Sequence, residues 1–294
     1  MKSGLVGVIG RANAGKSTLV NALVGEKVAI VSPKPQTTRD RILGILTREE
    51  HQIVFADTPG LYRQRNELTR RMMHATDETV KEVDAILFVE DAHEGLPDED
   101  IALIKKYASL SVPMLVVLTK TDIMPEKNIP EAVKKLFDAG IANTVVPVSA
   151  RKRKNLKRLE EELVKLLPEG DKLYTEDIIS DKSEKFMIAE IMREKILLGY
   201  EKEIPHGIAI VINEFQKQEN GVYSVNLDIV CEKKNHKAII IGKGGAALKE
   251  TAMHARKEME RFLDAKVFLT VYVKVREDWR NSDNLIGELG YGDL

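Results

Sequence analysis

The sequence is short of several things that would otherwise define it. Its 294 residues hold one cysteine, Cys231, so no intrachain disulfide can form and a reducing compartment is expected. Cys231 itself reads as a small core residue. No apolar run approaches the roughly eighteen residues of a spanning helix. The stretch from Leu5 to Gly10 is too short, and too quickly followed by polar residues, to act as a secretory signal. A cytoplasmic location is therefore expected. Net charge is lacking too: 45 Lys plus Arg stand against 46 Asp plus Glu, leaving -1. This excludes binding driven by whole-molecule charge and requires any nucleic-acid site to be a local patch. The six histidines show no paired spacing on a helix or near Cys231, which argues against a metal centre built on His or Cys.

The chain does have the composition of a folded protein, with 43% hydrophobic and 31% charged residues. At about 150 residues per domain its length suggests two domains, each with its own core. From Leu5 to about Leu167, short apolar runs alternate with segments of helical period, the pattern of an α/β domain with a mostly parallel sheet. Buried strands are expected at 5–10, 52–57, 85–91, 114–120 and 144–150, with 41–47 as an edge strand. From Pro168 to Ser183 the periodicity fades and acids gather. The expected division is a first domain at 1–170, a linker at 171–183 and a smaller α+β domain with a C-terminal tail at 184–294. In that second domain Ile188, Ile191 and Met192 keep helical spacing, Ile208, Ile210 and Ile212 alternate, and Asn220-Gly221 marks a hairpin turn. A final strand should place Leu269, Val271, Val273 and Val275 on one face.

Residues 10–18, GRANAGKST, carry the GxxxxGK[ST] spacing directly between an apolar strand and a helical segment. The residues Gly10, Arg11, Ala12, Asn13, Ala14, Gly15, Lys16, Ser17 and Thr18 are thus candidates for a loop that wraps nucleotide phosphates. Glycines free the backbone N–H groups to do this, and the helix start adds its positive dipole end. Lys16 would reach the terminal phosphates and Ser17 would ligate Mg²⁺. Ligands of open α/β sheets sit at the carboxyl ends of strands, so the later strand ends should name the nucleotide. One ends in Asp57-Thr58-Pro59-Gly60, offering a carboxylate to the Mg²⁺ shell and, at Gly60, an N–H to a γ-phosphate. Another runs into Thr119, Lys120 and Asp122. A carboxylate there accepts both hydrogen bonds of guanine's N1–H and N2–H₂ edge, which adenine lacks. The backbone at Ser149-Ala150 is placed to meet guanine O6.

Taken together and in order, GRANAGKST, PQTTRD, DTPGLY, TKTD and SA resemble the five sequence elements of translation-factor-type small GTPases. The resemblance covers residues 1–167. It implies that Thr37 or Thr38 is the switch threonine that meets Mg²⁺ and the γ-phosphate, with Thr38 favoured. The family usually has Asn where Thr119 stands, an exchange that bears on a supporting contact near the P-loop and not on Asp122. Ala12 and Ala14 occupy positions that more often hold Pro and Val. Leu61 stands where Ras-like enzymes place a water-orienting glutamine, so the sequence names no general base, and catalytic power is expected from Lys16, Mg²⁺ and loop amides.

In the second domain the sequence Gly242-Lys243-Gly244-Gly245 lies between two helical stretches. The order of helix, two strands, helix, glycine loop, helix and strand resembles a type II KH domain, whose loop clamps a nucleic-acid backbone. Lys237, Ile241 and the four loop residues are the candidate RNA contacts, with Lys233, Lys234 and Lys249 adding local positive charge. Ile239, Ile240 and Ile241 read chiefly as core, though one of them could face a splayed base. The basic run 151–158 is either a solvated helix start or an RNA-facing patch, and Trp279 is expected to pin the C-terminal segment.

A P-loop GTPase followed by a KH domain resembles the Era family across essentially the whole chain, including the tail at 277–291. The resemblance implies GTP hydrolysis, binding near the 3′ end of small-subunit ribosomal RNA and a role in small-subunit maturation. A monomer is expected, with peripheral contact at the inner membrane left open. Two other readings remain: a nucleotide-regulated RNA chaperone with negligible hydrolysis, and an ATP-dependent nucleic-acid enzyme, against which Asp122 argues.

Overall fold

The computed structural model describes residues 1–61, 66–91, 93, 95–125, 127–141 and 144–291. They form two compact units. The first takes Met1–Ala29, Thr38–Arg63 and Met72–Asp181, and the second takes Ile30–Thr37, Gln64–Arg71 and Lys182–Leu294, so far as these are described.

The first unit is built on strands β1 (Lys2–Ile9), β2 (Ile42–Thr47), β3 (His51–Asp57), β4 (Ala85–Glu90), β5 (Met114–Leu118) and β6 (Val145–Pro147), in the spatial order β2-β3-β1-β4-β5-β6. All neighbours run parallel except β2, which pairs antiparallel with β3 at one edge. The central strands read as unbroken apolar runs because both faces are covered. Val6, Val8, Leu87, Val89 and Val117 enter one core with Leu19 and Leu23, while Ile86, Phe88, Val116 and Leu118 enter another with Ile104 and Leu136. Those partners come from α1 (Lys16–Val24), α3 (Asp98–Ala108) and α4 (Asn128–Asp138), α2 (Glu67–Glu82) precedes β4 in the chain, and α5 (Leu156–Leu166) adds Leu159 and Leu163 to the first core.

The sequence between Pro168 and Ser183 shows no strand pattern, yet its chain lies along the exposed edge of β2. The Ile45 N–H donates to Ile179 O at 2.9 Å and the Leu43 N–H to the Asp181 carboxylate at 2.8 Å, while Gln52 Nε2 of the neighbouring β3 donates to Tyr174 O at 2.9 Å. An otherwise unpaired strand edge is thereby satisfied.

In the second unit β7 (Ile208–Lys217) and β8 (Tyr223–Cys231) form the hairpin that Asn220-Gly221 announces, and β9 (Val267–Val275) joins β8 in parallel. Helix α6 (Glu184–Gly199) brings Ile188, Ile191, Met192 and Ile196 into a core shared with Leu227, Ile229 and Cys231. Its N-cap Ser183 accepts from the Phe186 N–H. Helices α7 (Lys234–Ile241) and α8 (Ala246–Leu263) flank the glycine tetrapeptide, and α8 adds Ala255 and Met259 to the same core. Trp279 is fully buried, donates to Gly207 O at 3.0 Å and stacks on Tyr291, so it does anchor the C-terminal segment.

Candidate functional site

Helix α1 begins at Lys16 behind Gly15, whose φ of +97° no ordinary side chain prefers, and no side chain caps its N-terminus. Its first-turn N–H groups thus keep their donors for an anion. Lys16 is buried and folds back over the loop, donating to Gly10 O at 3.1 Å and Arg11 O at 3.0 Å. Burial lowers its pKa to about 8, with Asp57 pulling the other way.

Three oxygen-bearing side chains meet beside it. Ser17 Oγ lies 2.8 Å from Thr38 Oγ1 and donates to Asp57 Oδ2 at 2.6 Å, and Thr38 Oγ1 reaches the same oxygen at 3.4 Å. Of the two adjacent threonines it is Thr38 that joins this group, since Thr37 Oγ1 donates to Lys34 O at 2.6 Å. The other Asp57 oxygen is buried without a hydrogen-bond partner. Burial raises the Asp57 pKa to about 6, opposed by Lys16, Ser17 and Thr38. Two hydroxyls and a carboxylate with an unsatisfied buried oxygen suit a small hard cation such as Mg²⁺, which takes oxygen ligands and keeps waters.

The strand end after Asp57 packs on the P-loop. A Cβ on Gly60 would lie 2.6 Å from Ala12 Cα, so only glycine brings this backbone so close. The Leu61 N–H donates to Gly10 O at 3.0 Å and its side chain is buried, consistent with a residue that orients no water. Tyr62, the last residue of the DTPGLY motif, lies outside the described residues.

Thr119 keeps the contact to the loop that its exchange from Asn brings into question: its Oγ1 donates to Ala14 O at 2.5 Å, while its N–H donates to Glu90 O at 2.8 Å. Lys120 pairs with Asp91 at 2.6 Å. Asp122 is exposed, and its carboxylate accepts from Ser149 Oγ at 2.6 Å. That hydrogen bond holds its pKa below the usual carboxylate value. In the sequence Ser149 has only a backbone task; in the structure its side chain also hydrogen-bonds the Asp122 carboxylate. The Ser149 N–H donates to Lys154 O at 3.2 Å, which shifts the expected O6 contact toward Ala150.

In the second unit the glycine loop leaves α7 at Gly242 and turns through Gly244 at φ +59°, with Lys243 and Gly244 exposed. Lys237 is half-buried beside it. The three isoleucines part company. Ile240 is fully buried and Ile241 packs partly on the core, but Ile239 is 51% exposed. Ile239 is thus the member of the run that leaves the core, since successive residues of a helix point about 100° apart and α7 packs by one side only. Residues 151–155 of the basic run are exposed.

A family model described as a 50S ribosome-binding GTPase matches residues 5–120, and a KH domain model matches residues 203–280. The GTPase Era of Clostridium kluyveri is 44% identical over 291 residues, covering 99% of each chain. The chain belongs to the Era family of GTPases. Era of Clostridium botulinum is 43% identical over 293 residues, covering 100% of this chain and 99% of its own. A crystal structure of a variant of Aquifex aeolicus Era bound to GDP·AlF4⁻ matches with a TM-score of 0.94 at 38% identity over 99% of both chains. A structure of Era with MgGDPNP and nucleotides 1506–1542 of 16S ribosomal RNA matches equally well. As an Era-family member this protein is a GTPase, its first domain a P-loop nucleotide domain and its second a KH domain, and its metal is Mg²⁺. Among the described residues no helix is long and apolar enough to cross a membrane.

Proposed function

We propose that this Era-family GTPase binds guanine nucleotide through residues 10–18, Gly60, Asp122 and its Ser149 partner, and binds small-subunit ribosomal RNA through the KH loop. The observation that carries the nucleotide reading is the meeting of Ser17, Thr38 and Asp57 beside Lys16, with one Asp57 oxygen buried and unpartnered. These three residues would hold Mg²⁺, which when bound neutralises charge on the nucleotide phosphates. Lys16 places a fixed cation against the terminal phosphates. The loop amides and the start of α1 receive charge that develops on phosphate oxygens. Leu61, in place of a glutamine, cannot orient the attacking water, and hydrolysis is slow until a partner or the backbone does so.

The 16S ribosomal RNA bound by a relative 38% identical supports the same class of partner here, at the exposed Lys243-Gly244 turn and nearby Lys237. Ile239 offers an apolar surface that a splayed base can cover. On this reading the nucleotide domain spans 1–170 and the RNA domain 184–294, the protein is a cytoplasmic monomer, and nucleotide state governs its hold on the maturing small subunit. The test is GTP turnover with and without small ribosomal subunits, alongside binding of an RNA copied from the 3′ end of their RNA. Mg²⁺-dependent hydrolysis that small subunits accelerate, with RNA bound, is expected. RNA binding without hydrolysis under any condition would leave a nucleotide-regulated chaperone.

A further inference from the structure

The P-loop arginine is gripped by acidic residues to which phosphate binding gives no task. Arg11 is the second residue of the loop, and its carbonyl is one of the two that hold Lys16. Its guanidinium pairs with Asp100 in the first turn of α3 and reaches Glu99 at 3.8 Å. Asp100 is buried, whereas Arg11 is partly open to solvent. At the end of β4, Glu90 is only 3% exposed, and its Oε2 is buried with no hydrogen-bond partner. Glu90 is tied to the loop by its main chain as well, since Thr119 donates its N–H to the Glu90 carbonyl and its hydroxyl to that of Ala14.

The charges that act on Glu90 come from each neighbouring element: Asp100 on α3, Arg11 on the P-loop and Asp91 on its own strand end, the last already neutralised by Lys120. Glu90 is thus a buried carboxyl with an unmet oxygen, at a strand end that touches the phosphate loop and within the field of the Arg11–Asp100 pair, and such a group resists ionisation.

We propose that Arg11 is a positioning residue of the phosphate site, braced by Asp100, and that the neighbouring Glu90 carboxyl sets how firmly the site holds nucleotide according to whether it carries a proton. With Glu90 neutral, Arg11 serves Asp100 alone and fixes the carbonyl that orients Lys16. With Glu90 ionised, a second buried negative charge acts on the Arg11–Asp100 pair and is added beside a site built for phosphate. Burial, and next the Asp100 charge, push the Glu90 pKa up to about 7, with Arg11 opposing, so the change falls near neutral pH. Proton and nucleotide then favour each other's binding, as linkage requires.

This inference rests on the nucleotide reading above, and the test separates the two. The dissociation constant of a fluorescent GDP, with Mg²⁺ present, is measured from pH 5.5 to 8.5 for the whole protein and for Glu90→Gln. Ratios between the two cancel the titration of GDP and of Lys16. The wild-type constant should rise relative to the variant as pH passes 7. One unit of charge, screened at an effective dielectric of about 20 over a separation on the order of 10 Å, changes a binding constant by roughly tenfold, and a rise of that order is expected. Asp100→Asn removes the neighbouring anion and should move the rise to lower pH, which keeps the test open if Glu90→Gln misfolds. Parallel wild-type and Glu90→Gln profiles, or an Asp100→Asn profile that does not move, would overturn the proposal. Failure of the wild type to bind GDP at any pH would instead overturn the nucleotide site itself.

Discussion

Replacing Asp122 by Ala tests whether base recognition resides in one carboxylate. Asp122 is exposed, its oxygen accepts from Ser149 Oγ at 2.6 Å, and that bond keeps it ionised well below neutral pH. Guanine offers it two donors, N1–H and N2–H₂, and hydrogen bonds to a charged acceptor contribute about 1.5 to 3 kcal/mol each. Because the group is open to water, both lost bonds are partly replaced by solvent. The net loss should fall near the contribution of one such bond, about 1.5 to 3 kcal/mol, or roughly 10-fold to 150-fold in GTP affinity. Ser149→Ala leaves the carboxylate but removes its support, so a smaller loss of about 0.5 to 1.5 kcal/mol is expected. Asp122→Asn sharpens the test. It presents one donor and one acceptor, the complement of xanthine's N1–H and C2 carbonyl, and should turn preference from GTP toward xanthosine triphosphate. Competition titrations with a fluorescent GTP analogue, on variants that melt like the wild type, measure all three. Undiminished GTP affinity in Asp122→Ala would refute the assignment of guanine recognition to this strand end.

Further expectations follow from the same geometry. Unaided GTP turnover should lie near the unassisted Ras rate of about 10⁻⁴ s⁻¹ or within roughly a hundredfold above it, and tens per second in a phosphate-release assay would imply an unseen base. Lys16→Ala should suppress even that slow reaction. Glu90, whose pKa rises from 4.5 to about 7 on folding, binds more protons in the folded than in the unfolded chain between those values. Its contribution therefore makes stability fall as pH rises from about 4.5 to about 7, by roughly 3 kcal/mol, and urea titrations should show Glu90→Gln flattening that slope. Trp279→Ala removes a fully buried ring and its hydrogen bond to Gly207, and should cost about 3 to 5 kcal/mol in the same assay. Replacing Lys243 and Gly244 together by Asp should abolish RNA binding in a gel-shift experiment while GTP binding survives; RNA bound undiminished would reduce GKGG to a helix-helix turn.

Much of this protein is legible in its sequence because its chemistry asks for atoms that are close along the chain. A phosphate loop needs successive backbone N–H groups and a helix start, so Gly10 through Thr18 carry the whole signal in nine consecutive residues. The DTPG, TKTD and GKGG motifs are contiguous for the same reason. Strands buried on both faces read as apolar runs, and β7 and β8 betray themselves by alternation around Asn220-Gly221.

What the sequence leaves open depends on which way a side chain turns and on what distant chain lies opposite. Thr37 and Thr38 are identical as letters; the path of the backbone sends one hydroxyl to Lys34 O and the other to Ser17 and Asp57. Thr119 differs from the family's usual Asn, yet its hydroxyl lies close enough to Ala14 O to serve, a matter of distance between residues 105 apart. The linker has no strand period because its partner is the edge of β2, and a single paired edge imposes no apolar alternation. Ile239 is turned outward by the rotation of α7. The grip of Asp100 on Arg11 joins a loop to a helix almost ninety residues later, and no local pattern records it. Local chemistry is written in consecutive residues; long-range pairing is fixed only when packing chooses the neighbours.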